Sequence, residues 1–361
     1  MSRRIYLDHA ATTPVLDGAR AAVAEAMASW ANPSSPHADG RAARASLEDA
    51  RRTIGQALGW RHDVILTSGA SEAIAIVGAR ARPERRIVGP TEHDMVTHAM
   101  GAGAVVLRVD CNGLVDLDAL EAALAQGPAL VAIQLVNNET GVIQPAAEIG
   151  ARIRAAGSLW LCDAAQGAGK IDLPDADFVA VSGHKLGGPP GVGVLLVRDL
   201  ATLDPSGGQE KGYRRGTSDL PGATGLAAAL ASGAVRDAMP RLAGLRARLE
   251  ETVRAEGGII IAEGAPRLAT IGGVALPGVS SASQLVQLDL AGISVSAGSA
   301  CSSGSLKPSH VLAAMGIDAE VAASTIRVSF GASTTEADIN AFLAEWRRIA
   351  TKRRATHGQA A

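Results

Sequence analysis

Leu159-Trp160-Leu161-Cys162-Asp163 and Phe178-Val179-Ala180-Val181-Ser182-Gly183-His184-Lys185 are the two stretches that decide how this chain is read. Each is a short apolar run of strand length. Each delivers an ionisable group at its end: a carboxylate after the first, an amine after a Ser-Gly-His turn in the second. A lysine placed after an apolar strand is poorly suited to be a plain surface charge. It suits an amine held in a closed site, able to bond an aldehyde.

Working outward, helical and strand patterns alternate through the first two thirds of the chain. Helical periodicity predicts helices over 17–29, 40–58, 71–82, 117–126 and 146–156. Apolar, β-rich runs predict strands over 64–67, 86–89, 105–109, 130–135, 159–162, 178–182 and 192–197. That alternation argues for an α/β layer on a mostly parallel sheet. In such sheets ligands bind beyond the carboxyl ends of the strands. The chemically loaded residues fall there: Gly69-Ala70-Ser71, His93, Asn138, Asp163 and Lys185. From about Gly222 the pattern changes to long helices, expected over 222–237 and 240–256, then short strands and a last helix near 336–350. This predicts a smaller C-terminal domain with a boundary near residue 234.

The chain has 361 residues, 47% of them hydrophobic, and a formal net charge of -2. No apolar run is long enough to span a membrane. The charge implies no general attraction to nucleic acid or to anionic lipid. An acid, Asp8, stands within the first residues and no signal-peptide core precedes it, so a cytoplasmic location is expected. Three cysteines, at 111, 162 and 301, show no paired spacing. Neither a disulfide framework nor a metal site is indicated. The basic cluster Arg347, Arg348, Lys352, Arg353 and Arg354 reads as a solvated helix end or as a docking patch.

Asp163 and Lys185 together form the pair that pyridoxal phosphate needs. The lysine holds the aldehyde, and the aspartate keeps the pyridine nitrogen protonated so that the ring can draw electrons from a substrate. Thr67-Ser68-Gly69-Ala70-Ser71-Glu72 follows a strand and opens a helix. Its small residues and free amides suit a phosphate, although Ser71 is also an ordinary helix cap. Gly167-Ala168-Gly169-Lys170 lacks the residues of a nucleotide-binding loop. His93 can stack on a flat cofactor and move protons. Gln166 is placed to bond the ring's phenolic oxygen, and Asn138 to hold a substrate carboxylate or the ring edge. Local turn bonding by the side-chain amide accounts for both equally well. Arg327, in a strand-like run, suits a bidentate carboxylate contact or a structural ion pair. Cys301 lies among small residues, Ser296 to Ser305, in a stretch expected to be mobile and exposed. Its thiolate is either a nucleophile or inert.

Taken in order, these motifs resemble the cysteine desulfurases of the NifS/IscS type, within the class V aminotransferase group of fold-type I pyridoxal phosphate enzymes. The likeness runs from Tyr6-Leu7-Asp8-His9-Ala10-Ala11-Thr12-Thr13-Pro14 through Thr91-Glu92-His93, Asn137-Asn138-Glu139-Thr140-Gly141 and Asp163-Ala164-Ala165-Gln166. It continues through Ser182-Gly183-His184-Lys185 and Arg214-Arg215-Gly216-Thr217 to Gly298-Ser299-Ala300-Cys301. The resemblance implies a large domain, 15–233, with a mostly parallel seven-stranded sheet flanked by helices. It also implies a smaller α+β domain, built from 1–14 with 234–361, that carries the cysteine loop.

The same resemblance implies roles. Lys185 carries the cofactor and shuttles protons, Asp163 pairs with the pyridine nitrogen, His93 stacks on the ring, and Gln166 bonds the phenolic oxygen. Ala70, Ser71, Ser182 and His184 hold the phosphate, and Thr217 reaches it from the partner subunit of a homodimer. Asn138 and Arg327 fix the carboxylate of L-cysteine. Cys301 takes the sulfur as a persulfide, alanine is released, and the sulfur passes to an acceptor such as an iron–sulfur scaffold protein. A selenocysteine lyase, an aminotransferase of the same group, or a non-enzymatic cofactor-binding scaffold are the competing expectations. Ser71 stands where a threonine is commoner, and Ala73 and Ile74 where polar residues are usual.

Overall fold

A computed structural model describes residues 4–298 and 308–358, with side chains described as far as residue 355. Among the described residues the central element is a seven-stranded sheet. Its strands lie in the order Asp63–Thr67, Gly193–Val197, Phe178–Ser182, Leu159–Asp163, Leu130–Ala132, Arg86–Val88 and Val105–Val106. The five from Phe178–Ser182 to Val105–Val106 pair in parallel. Gly193–Val197 runs antiparallel to both of its neighbours. Two reversals cancel, so Asp63–Thr67 ends at the same edge as Phe178–Ser182 and Leu159–Asp163.

The strands are apolar throughout because both faces of the sheet are covered. Period-two alternation sends their side chains to two separate cores. From Phe178–Ser182, Val179 and Val181 enter one core with Trp160, Cys162, Val194 and Leu196. Phe178 and Ala180 enter the other with Ile65, Leu161, Leu195 and Val197. Helices Asp17–Ala28 and Ala38–Ala57 pack against Leu220–Ala231. Helix Ala70–Arg80 covers the opposite face, burying Ala73, Ile74 and Val77.

A further core joins Leu7 to residues between Leu242 and Ala350. It is built on an antiparallel sheet, Ile259–Ile260, Ile271–Ala275 and Thr325–Ser329, with helices Ala234–Ala255 and Glu336–Gly358. Here the helix boundaries depart from the sequence expectation. The break falls at Gly233, in the left-handed conformation at φ 63°, and not at Pro240. Pro240 lies inside the second helix on an exposed face, where the carbonyl left without an N–H partner can be hydrated. The helix Asp94–Met100, capped by the His93 side chain, was not expected from the sequence. Among the described residues no helix is long and apolar enough to cross a membrane.

Gly193 fixes the geometry that the site depends on. It pairs with Thr67 on one side and Ser182 on the other, so it draws two strand ends together. A Cβ there would stand 2.4 Å from the carbonyl oxygen of Val181 and 2.6 Å from the Cα of Gly69. Both obstacles are backbone and cannot swing aside. Gly193→Ala is therefore expected to lower stability by about 1–3 kcal/mol, the usual cost of overpacking. It should also loosen the turn at Gly69. Chemical denaturation monitored by circular dichroism checks this, with Gly103→Ala, at an open position, as the control.

Candidate active site

Beyond the strand ends lies a cavity of about 470 Å³. Its wall includes Ala70, Ser71, His93, Asn138, Asp163, Gln166, Ser182, His184 and Lys185. Residues spread over more than a hundred positions of sequence are thus brought to one space by the sheet. Ser68, Gly69 and Glu72 also line it.

Lys185 is delivered by the 3-10 turn Gly183–Lys185, which directly follows the strand Phe178–Ser182. The turn lies tight against the sheet: a Cβ on Gly183 would meet the Val192 carbonyl oxygen at 2.8 Å. The N-terminal segment clamps the turn from outside. Thr13 N–H donates to the carbonyl of His184 at 2.8 Å, and Leu16 N–H to that of Gly187 at 2.9 Å. Lys185 Nζ donates to the carbonyl of Ala10 at 2.6 Å, and Gln166 Nε2 to the same oxygen at 2.9 Å. One acceptor of the amine is thus a neutral backbone carbonyl.

Asp163 ends its strand inside the cavity wall. Burial raises its pKa above the ordinary aspartate value, while the amide of Ala165 at 2.9 Å and the charges of His93 and Lys185 pull the other way. Glu92, fully buried behind it, is pushed well above the usual range by burial. One of its oxygens accepts from Gln134 N–H at 2.9 Å and the other has no partner. His93 Nδ1 accepts from the amide of Met95 at 3.2 Å, which places the proton of the neutral ring on Nε2. His184 Nδ1 lies 3.1 Å from Thr12 Oγ1, and burial lowers its pKa.

Two predicted residues lie outside this cavity wall. Arg327 sits one layer behind it. Its Nη1 donates to the carbonyl of Asn138 at 3.1 Å and its Nη2 to the Asp8 carboxylate at 2.8 Å, while Nε is buried and unpaired. Thr217 is exposed on the loop that follows the turn Glu210–Gly212. Cys301 lies outside the described residues. The chain before it pairs its backbone with Arg327 through Ser296, at 2.7 and 3.2 Å, and the chain after it is tied by Ser309 Oγ to Glu139 at 2.6 Å. Cys162 is fully buried and its thiol is pushed up by burial.

The cavity fits pyridoxal phosphate on its own chemistry. A carboxylate raised by burial suits a protonated ring nitrogen beside it. Gln166 Oε1 is buried without a partner, the kind of orphan that a polar ring edge satisfies. The first amides of helix Ala70–Arg80 have no acceptor within the helix and suit a phosphate.

The family model for class V aminotransferases matches residues 5–342. An IscS-like cysteine desulfurase of Mycobacterium tuberculosis is 40% identical, the alignment covering 94% of each chain. The solved NifS-like protein of Rickettsia africae superposes with a TM-score of 0.87 at 30% identity, covering 96% of this chain and 99% of the other. SspA, solved in complex with cysteine, gives a TM-score of 0.79 at 29% identity, covering 91% and 99%. The chain belongs to the class V aminotransferase family, whose members depend on pyridoxal phosphate. Within that family it is a cysteine desulfurase of the NifS/IscS type.

Sequence reasoning gave no role to two groups here. The first is the Ala10 carbonyl, which no side-chain chemistry announces. The second is Lys170, buried beside Lys185 with no side-chain hydrogen bond or ion pair among the described residues. Its Gly-x-Gly-Lys setting drew attention only as an incomplete nucleotide loop. Burial first, and the Lys185 charge second, lower its pKa from 10.5 to about 7. Between those values the unfolded chain holds a proton that the folded chain has shed. Stability therefore rises with pH across that window, and below pH 7 the full penalty applies. Lys170→Met should remove the rise. Urea denaturation at pH 7 and pH 9 should show wild type gaining about 2 kcal/mol relative to the variant. Equal changes in the two proteins would count against this.

Proposed function

We propose that this cavity converts L-cysteine to L-alanine and passes the sulfur to Cys301. The observation that carries the reading is the convergence of Asp163, Lys185 and Gln166 with the first turn of helix Ala70–Arg80 around one cavity. When bound there, pyridoxal phosphate supplies an electron sink for the substrate's α-carbon. The chain's residues do the rest. Asp163 holds the proton on the ring nitrogen. The amides of Ala70 and Ser71, with the side chains of Ser71, Ser182 and His184, hold the phosphate. His93, its Nδ1 accepting from Met95 N–H, would pack its ring on the cofactor and carry its proton on Nε2.

Lys185 Nζ would hold the cofactor, take the α-proton of the substrate and later return a proton to that α-carbon, while the β-carbon takes the proton given up when the Cys301 thiol ionises. Asn138 and Arg327 receive the substrate carboxylate. The guanidinium is already held by Asp8 and by the Asn138 carbonyl, so its direction is set before substrate arrives. The Cys301 thiolate attacks the substrate sulfur: a sulfur–sulfur bond forms as the carbon–sulfur bond breaks. Enzyme persulfide and alanine are the products. SspA, solved with cysteine, supports the choice of substrate.

The fuller setting belongs to the same proposal. Thr217, exposed and not part of its own cavity wall, completes the phosphate site of a second copy in a homodimer. The persulfide sulfur goes to an acceptor protein for iron–sulfur or thio-cofactor assembly, in the cytoplasm.

Alanine release from L-cysteine, with a thiol reductant and added pyridoxal phosphate, tests the reaction. Alanine and sulfide should form in equal amounts. Lys185→Ala should cost on the order of 10²-fold or more, the loss typical of a general acid–base group. Cys301→Ala should abolish sulfur transfer while leaving the cofactor bound. Cofactor-loaded protein that yields no alanine would redirect the reading to another amino-acid substrate.

A further inference from the structure

Glu72 is an unwelcome neighbour for a phosphate. It stands at the third position of helix Ala70–Arg80 and lines the cavity with Ala70 and Ser71. One carboxylate oxygen accepts the amide of Ser68 at 2.5 Å, so Glu72 caps the turn that opens the helix. The other oxygen accepts from Arg214 Nε at 2.9 Å. These contacts keep Glu72 ionised, its pKa below the ordinary value. An ionised carboxylate here opposes a second anion at the same helix start, unless a cation answers it.

Arg214 belongs to the loop that carries Thr217, and that loop is fastened to the sheet. Glu210 is buried; its carboxylate accepts from Arg51 at 2.6 Å, from Leu66 N–H at 2.9 Å and from Ser218 Oγ at 2.8 Å. The loop is thus pinned on both sides of Arg214, at Glu210 and at Ser218.

We infer that Arg214 is a positioning residue: it neutralises Glu72 so that the helix start can take a phosphate, and it joins that cradle to the loop presenting Thr217. This rests on the reading of Ala70 and Ser71 as phosphate ligands. One network, Ser68–Glu72–Arg214, then serves the chain's own cavity and ends three residues before the exposed Thr217. Glu72 keeps the turn closed, and Arg214 removes the electrostatic cost of having it there.

The test uses the full-length apoprotein, titrated with pyridoxal 5'-phosphate and separately with pyridoxal, which keeps the aldehyde and lacks the phosphate. Bound cofactor is followed by absorbance. Wild type should prefer the phosphorylated form strongly. Arg214→Met should weaken pyridoxal phosphate by roughly tenfold or more, the scale of one uncompensated charge at this range, and leave pyridoxal unchanged. Arg214→Lys should fall between. Arg214→Met combined with Glu72→Gln should recover most of the loss, because the amide oxygen still caps Ser68 and the charge is gone. Equal weakening of both ligands without that recovery would overturn the inference in favour of a merely structural arginine. Unchanged preference in Arg214→Met would overturn it outright. A wild-type protein that does not distinguish the two ligands would remove the phosphate reading on which it rests.

Discussion

A carboxylate set at a strand end in the cavity wall, with His93 and Lys185 as its cationic neighbours, is the constraint around which this molecule is organised. Asp163 is raised in pKa by burial and relieved only in part by one amide, His93 and Lys185. Such a group costs stability unless positive partners answer it. Glu92, buried behind it, adds to that cost if ionised, and Cys162 is buried too deeply to ionise readily. A protonated pyridine nitrogen would be a further cation for this carboxylate.

Lys185 donates to a backbone carbonyl shared with Gln166. Lys170, lowered to about 7, adds a second amine near it. The N-terminal segment makes this possible. Leu7 enters the core of the C-terminal half, Asp8 holds Arg327, and Ala10 receives Lys185. Thr13 and Leu16 then bind the lysine turn. About ten residues, Leu7 to Leu16, connect the two halves of the chain beside the cavity.

Much of this was legible in the sequence, for identifiable reasons. The strands announced themselves because a sheet covered on both faces demands continuous apolar runs, and Asp163, Ser182 and Lys185 stood out as polar ends of such runs. Ordered motifs over nearly the whole chain pointed to the family. The helix break was misplaced because proline is a louder signal than Gly233, although the left-handed turn at the glycine sets it. Strand direction was invisible too: nothing in Gly193–Val197 declares that it runs against its neighbours. The Ala10 carbonyl and the charge balance at Glu72 escaped because they are pairings between distant segments. Arg327 was weighed as a carboxylate binder or an ion-pair member. The structure places it against Asp8, and its unpaired Nε leaves donor capacity for a substrate.

Lys185, which lines the cavity, is the residue expected to hold the cofactor, and not the neighbouring buried Lys170. Borohydride reduction of the loaded protein, followed by peptide mapping, tests it directly, because reduction fixes the cofactor to whichever nitrogen holds it. A pyridoxyl group is expected on the peptide containing Lys185 and none on the peptide containing Lys170. A label on Lys170, or none on either, would contradict it.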